Sequence, residues 1–293
     1  MAEAGGVPRV SVILPVFNRA HTVAAAIDSV RAQTVGDWEL VVVDDGSTDG
    51  SAAVAEACGD PRVRVLRLGR NRGAAGARNA GVGVSRGELI AFLDSDDTWT
   101  PDKLKIQTAA LDRAPDLGGL TMGFDLIRQE SGRRERRRPQ DGAATLPYLL
   151  DGCHVSPGST LMVRRAFWET VGPFEPNLRR YEDWDWLLRA AAHGPIGTLP
   201  DIGAVVYVGP QPDRARTAEA IETLRPRHIK RIMELSDMGG LARFEASLAA
   251  EELVAALRDG DRRAAVGLGL TMLIHSPPRL FRLAKRAARR LIP

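Results

Sequence analysis

Along the first 126 positions, short β-branched apolar runs alternate with segments whose apolar residues recur at helical spacing. Val10 to Val16, Leu40 to Val43, Val63 to Leu68 and Leu89 to Leu93 read as strands, and Ala20 to Gln33 reads as the first intervening helix. Such a βαβ series predicts a mostly parallel sheet with helices on both faces, its strands buried on either side. Asp49 suits the cap of the helix after the second strand, Asn18 the cap of the one after the first, and Pro101 the start of a helix through Leu104, Ile106 and Ala110. Residues 128–141 are polar and crowded with Arg133, Arg134, Arg136, Arg137 and Arg138, which reads as a solvated loop or as a surface for an anionic partner. An apolar strand from Ser159 to Val163 and the segment Phe167 to Phe174 follow. The run Tyr181-Glu182-Asp183-Trp184-Asp185-Trp186 then leads a helix, and from Asp213 onward helix follows helix.

Two of the strands stop abruptly at acids: Val43 at Asp44-Asp45, and Leu93 at Asp94-Ser95-Asp96-Asp97. In an open α/β sheet ligands sit at the carboxyl ends of the strands. Carboxylates gathered there repel unless a cation or hydrogen-bond donors join them, so the pattern points to a site for a metal ion and a nucleotide.

Composition narrows the partners. The 293 residues are 44% hydrophobic, enough for a substantial core. Forty Lys and Arg face 37 Asp and Glu, a net charge of +3, which is not the balance of a nucleic-acid-binding polycation. Cys58 and Cys153 form neither a metal-binding pair nor a disulfide framework, so a cytoplasmic setting is expected. The amino terminus lacks signal-peptide character, and the longest apolar stretch, Ala264 to Ile274, is about half the ~20 residues a bilayer span needs. Residues 279–291 place Leu280, Leu283, Ala287 and Leu291 on one stripe among Arg282, Lys285, Arg286, Arg289 and Arg290. That basic amphipathic pattern suits the inner face of an anionic membrane, or docking on the chain's own domain.

Five blocks in this order, Pro15-Val16-Phe17-Asn18-Arg19, Val43-Asp44-Asp45-Gly46-Ser47-Thr48-Asp49, Gly73-Ala74-Ala75-Gly76-Ala77-Arg78-Asn79-Ala80-Gly81, Phe92-Leu93-Asp94-Ser95-Asp96-Asp97 and Tyr181-Glu182-Asp183-Trp184, resemble the signature of inverting, non-processive family 2 glycosyltransferases with the GT-A fold, over roughly residues 8–210. The resemblance implies a GT-A type, Rossmann-like α/β domain over 1–212, with a nucleotide-binding half at 8–127 and an acceptor half at 142–212. A helical region at 213–293, ending in the basic tail, would serve acceptor binding, self-association or membrane docking.

It also implies chemistry. The family transfers one sugar from a nucleotide-sugar to an acceptor hydroxyl, and a divalent Mn²⁺ or Mg²⁺ neutralises the departing diphosphate. By this analogy Asp96 is the metal ligand, Asp94 and Ser95 contact sugar or ribose, Pro15 and Phe17 border base and ribose, and Arg78 faces the nucleotide. Asp45 accepts from the imide N–H of uracil, implying a UDP-sugar donor, although members using other nucleotides carry similar blocks. Asp183, with Glu182 second, is the general base. His154, Gly158, Ser159 and Trp184 fall where the family shapes its sugar and acceptor pocket, the acceptor being a carbohydrate, a glycolipid or a small molecule. A homo-oligomer is open.

Two competing readings are weaker. Gly81-Val82-Gly83 does not extend to a dinucleotide fingerprint and lies after a helical stretch instead of the first strand. A sugar-nucleotide pyrophosphorylase needs a glycine-rich, lysine-bearing loop after the first strand, where Pro15-Val16-Phe17-Asn18 stands. A protein of the same fold that binds nucleotide-sugar without turnover remains the alternative to an enzyme.

Overall fold

A computed structural model of the chain describes residues 6–153, 155, 157–209 and 214–275. They form two compact units: one runs to Thr145 and resumes at residue 155 through 209, the other holds Leu146–Cys153 and the helices from Arg214.

The first unit alternates as its apolar pattern dictates: β1 (Val10–Val16), α1 (Val23–Arg31), β2 (Trp38–Asp44), α2 (Ser51–Glu56), β3 (Val63–Arg67), α3 (Gly73–Val84) and β4 (Leu89–Phe92). Then come β5 (Thr98–Trp99), α4 (Lys103–Arg113), β6 (Gly119–Arg128), β7 (Arg134–Arg137) and β8 (Gly142–Ala143). In the second unit lies α5 (Leu146–Leu150); the first resumes with α6 (Pro157–Thr160), β9 (Met162–Arg164), α7 (Arg165–Val171), α8 (Glu182–Ala190) and β10 (Ile196–Val208).

One sheet carries the order β3-β2-β1-β4-β9-β6-β10-β5, with β7 beside β6 and β8 beside β10. Its β3-β2-β1-β4 half is wholly parallel. Antiparallel β9 joins that half to the parallel pair β6 and β10. Every residue of β1 and β2 is buried, as strands covered on both faces require. Helix α3 lies tight against them because Gly81 has no side chain: a Cβ there would stand 2.6 Å from Ile13 Cγ2 and 2.8 Å from Val43 Cγ2. The small residues of that block thus bring Arg78, one turn earlier, close over the sheet edge.

Several local expectations change. Asn18 does not cap α1, whose N-cap is Thr22; it adopts a left-handed φ of 51°, and its Oδ1 accepts the Thr48 N–H at 2.9 Å. This ties the end of β1 to the turn after β2. Residues 134–137 are not loop but β7, because the carboxylate of Asp125 in β6, 1% exposed, takes hydrogen bonds from both Arg134 and Arg136. The strand expected from Ser159 is delayed to Met162, since Pro157–Thr160 forms a helical turn. Leu146–Cys153, expected in the acceptor half, belongs to the helical unit: Leu149 and Leu150 are buried and Ser247 Oγ donates to the Leu150 carbonyl at 2.5 Å.

That second unit consists of α5 with α9 (Arg214–Leu235), α10 (Met238–Arg258) and α11 (Arg262–His275). Its helices α10 and α11 share a small core of Ala249, Ala250, Leu253, Ala256, Ala265 and Met272. The basic stretch 279–291 lies outside the described residues. Among those described, no helix is long and apolar enough to cross a membrane.

Candidate functional site

Parallel pairing brings the carboxyl ends of β1, β2 and β4 to one sheet edge. Val16 is level with Asp44, and the Asp45 N–H donates to the Val16 carbonyl at 2.9 Å. Above this edge opens a cavity of about 510 Å³. Pro15, Phe17, Asp45, Arg78, Asp94, Ser95, Asp96 and Glu182, all singled out in the sequence, line it. Arg19, from the first block, lines it too, as do Asn71, Leu178 and Arg179, which carried no local signal of their own.

The turns beneath the cavity are braced by their own acids. Asp44 Oδ1 accepts the Ser47 N–H at 3.1 Å, and Asp49 accepts the N–H groups of Ala20 and Ser51 at 3.0 Å each. Asp45 is turned instead toward the start of α3, where the N–H groups of Arg72 and Gly73 donate to its two oxygens at 2.7 and 2.8 Å. Burial pushes its pKa up, against those two N–H donors.

Arg78 is the electrostatic centre. It is 4% exposed, and its guanidinium donates to Asp94 Oδ1 at 2.5 Å and to Glu182 Oε1 at 2.8 Å, with its carbon 5.6 Å from the Phe174 ring centroid. A planar guanidinium can bridge two carboxylates in this way, where a lysine would reach one. The two acids outweigh the cost of burial and raise the Arg78 pKa, so the cation is permanent. Arg78, expected to face a nucleotide, lines the cavity and there bonds the acids of two distant motifs.

Asp96 sits by Arg19, whose Nε is 3.7 Å from Oδ2. Burial first, then Asp94, pushes the Asp96 pKa up. Asp97 is 2% exposed and does not cap α4; its oxygens take the Ser159 hydroxyl at 2.5 Å and the Tyr207 N–H at 2.8 Å. The start of α4 is satisfied by Gln33, whose Oε1 accepts the Leu104 N–H at 2.9 Å.

The acids of the last block are set by a strained backbone. Tyr181, the N-cap of α8, has a φ of 64°, a left-handed conformation that costs a bulky residue on the order of 1 kcal/mol or more. Glu182, Asp183 and Asp185 fill the first turn, favoured by the helix dipole. Glu182 lines the cavity; Asp183 does not, and its Oδ1 accepts the Trp184 N–H at 2.7 Å. Burial, reinforced by Glu182 and opposed by Arg78, pushes the Asp183 carboxyl up to about 7. A carboxyl titrating there is poised to take a proton near neutral pH.

The remaining pocket residues part ways. Gly158 packs directly on the Asp94 carboxylate: a Cβ there would collide with Oδ2 and lie 3.0 Å from Cγ. Ser159 is fully buried below the acidic turn, its Oγ also accepting the Asp94 N–H at 3.1 Å, so it braces that turn and does not line the cavity. Trp184 is 1% exposed, edge-to-face with Tyr181 at 5.9 Å, so its ring is core and not a platform for a sugar. His154 lies outside the described residues.

The model of the family described as Glycosyl transferase family 2 matches residues 11–172. The succinoglycan biosynthesis protein ExoO of Rhizobium meliloti is 44% identical over 145 residues, 49% of this chain and 40% of that protein. The Escherichia coli UDP-Glc:alpha-D-GlcNAc-diphosphoundecaprenol beta-1,3-glucosyltransferase WfgD is 43% identical over 102 residues, 35% of this chain and 40% of its own. The matched stretch thus spans two fifths of the length of each relative. Among solved structures, residues 1–349 of S. aureus TarS superpose with a TM-score of 0.68 at 20% identity, covering 93% of this chain and 82% of that one. TarS has also been solved with UDP and with UDP-GlcNAc. That likeness establishes the GT-A fold. Matched over residues 11–172, more than half of its 293, the chain belongs to glycosyl transferase family 2.

Proposed function

We propose that the chain moves one sugar from a UDP-sugar to an acceptor hydroxyl by a single inverting displacement, assisted by a divalent cation, with Asp183 as general base. The observation that carries the reading is the single cavity bordered by Asp45, Asp94, Asp96 and Glu182, with one buried cation, Arg78, among them. That concentration of acid is short of positive charge by itself and suits a cation-bound diphosphate.

In this reading Phe17, 43% exposed at the rim, stacks on the base. Asp45, already oriented by two backbone donors, keeps lone pairs for the imide N–H of uracil. Asp96 holds the cation, Mn²⁺ or Mg²⁺, with Asp94 turned to sugar or ribose. Its raised pKa and the weak contact with Arg19 are what a carboxylate lacking a close counter-charge shows, so the residues fit. Among the described residues no group of three or more His, Cys, Asp or Glu side chains could hold a metal ion, so oxygens of the donor diphosphate would complete its coordination. The cation supplies neutralisation of the leaving diphosphate. Asp183 takes the proton of the attacking hydroxyl while Glu182, fixed by Arg78, keeps that carboxyl's affinity for a proton high.

The name of WfgD specifies a UDP-glucose donor and a lipid-linked saccharide acceptor, and supports a glycoconjugate acceptor here, reached at the inner face of a membrane. In this reading the first unit, through Thr145 and over residues 155–209, is catalytic, and the helical unit serves acceptor binding or membrane docking.

The test is UDP release in the presence of Mn²⁺ across a panel of UDP-sugars and acceptors, with Asp183→Asn as control. Turnover abolished by the substitution supports the reading. UDP binding without turnover under every condition supports the alternative, a nucleotide-sugar-binding protein of this fold.

A further inference from the structure

Helix α11 presents an apolar face to solvent. Its 14 residues carry no charge after Arg263. Met272 and Ala265 point into the helical unit's small core, with Leu268 and Ala264 beside them. On the other side Val266 is 65% exposed, Leu270 56%, Leu273 51% and Ile274 78%. Their spacing, i, i+4, i+7 and i+8, is that of one helical stripe. A surface helix of a soluble protein ordinarily turns polar residues outward, and a contiguous apolar stripe marks something that covers it.

Charge selects the occupant. Arg262 and Arg263 open the helix, exposed, and the sequence after it adds Arg279, Arg282, Lys285, Arg286, Arg289 and Arg290; from 262 to 293 there is no Asp or Glu. A second copy of this face would bring cation against cation, and the helix is too short to span a bilayer, which needs about 20 residues. Arg262 continues the Val266 and Leu270 stripe at helical spacing, and apolar side chains beside an exposed cation match an anionic bilayer surface, where the chains enter the acyl boundary and the cation meets headgroups. From this we infer that the Val266, Leu270, Leu273 and Ile274 face of α11 docks the chain on anionic membrane. The assignment concerns α11 itself and holds whether or not transfer takes place.

The experiment is co-sedimentation of the full chain with vesicles of phosphatidylcholine alone, or with a third phosphatidylglycerol, at low and physiological salt. Wild type should bind the anionic vesicles selectively, and L270Q/I274Q, which keeps every cation, should bind them at least about tenfold more weakly with an unchanged thermal transition. Absence of binding to anionic vesicles at low salt overturns the inference. So does equal binding by L270Q/I274Q, which would leave the cations alone responsible. A vesicle-free dimer, seen by light scattering and dissolved by the same substitutions, also overturns it. Should the double variant unfold, V266Q alone reads the same face with the same outcomes.

Discussion

Replacing Arg78 with Gln removes the buried cation that joins two acidic motifs, Glu182, 104 residues further along the chain, on one side and Asp94, 16 residues further along, on the other. Breaking a buried ion pair by deleting one partner costs about 3–5 kcal/mol. Asp94, with 35% of its side chain exposed, recovers part of its hydration, whereas Glu182 at 13% recovers little. The expected loss is therefore about 2–4 kcal/mol, a fall in Tm of about 5–12 °C for a unit of this size, measurable by scanning calorimetry. A second readout separates this from loss of packing. Arg78 holds the Asp183 pKa down against burial and Glu182, so without it the acid limb of kcat/KM should move up from about 7. Arg78→Lys, which keeps the charge but can satisfy only one acid well, should keep the limb near its original position while losing part of the stability. A Tm unchanged within about 1 °C for Arg78→Gln, together with an unmoved acid limb, would refute the bridge.

Other substitutions probe separate parts of the site. Because a base must be ionised, wild-type kcat/KM should rise with pH through about 7 and level off above it, and Asp183→Asn should lose that limb and about 10²–10⁴ in kcat while UDP affinity is kept. Gly158→Ala forces a Cβ onto the Asp94 carboxylate; it should weaken UDP binding in calorimetric titration and cost about 1–3 kcal/mol of stability. Asp125 is held down to about 2, chiefly by its hydrogen bond from Arg136. Its folded pKa is depressed, so its stabilisation is complete above about pH 4 and lost as pH falls through about 2. Asp125→Asn should lower Tm at pH 7 by only a few degrees, the arginines being more than half exposed, and leave it unchanged near pH 2, as thermal melts across pH would show.

What the sequence made legible follows from local physics. β1, β2 and β4 were visible because strands buried on both faces are apolar throughout, and the acids that end β2 and β4 were visible because the apolar run stops at them. The cavity's other walls come from chain segments that meet only in space: nothing near Leu178 or Arg179 announces that they share a cavity with Asp45. β7 was missed because arginines that look solvated were answering Asp125, nine and eleven residues away. Ser159 and Trp184 were assigned to a pocket by their place in the motif order, yet both are buried. For Trp184 a signal existed: with Leu187 and Leu188 it falls on the i, i+3, i+4 stripe that α8 buries.

The most direct measurement is a crystal structure of the wild-type chain with UDP and Mn²⁺. The account predicts uracil between Phe17 and Asp45, a metal ion bound by an Asp96 oxygen and the diphosphate, and Arg78 still joined to Glu182. Nucleotide found away from the sheet edge that bears Asp45 and Asp96, or no nucleotide at saturating UDP and Mn²⁺, would contradict it.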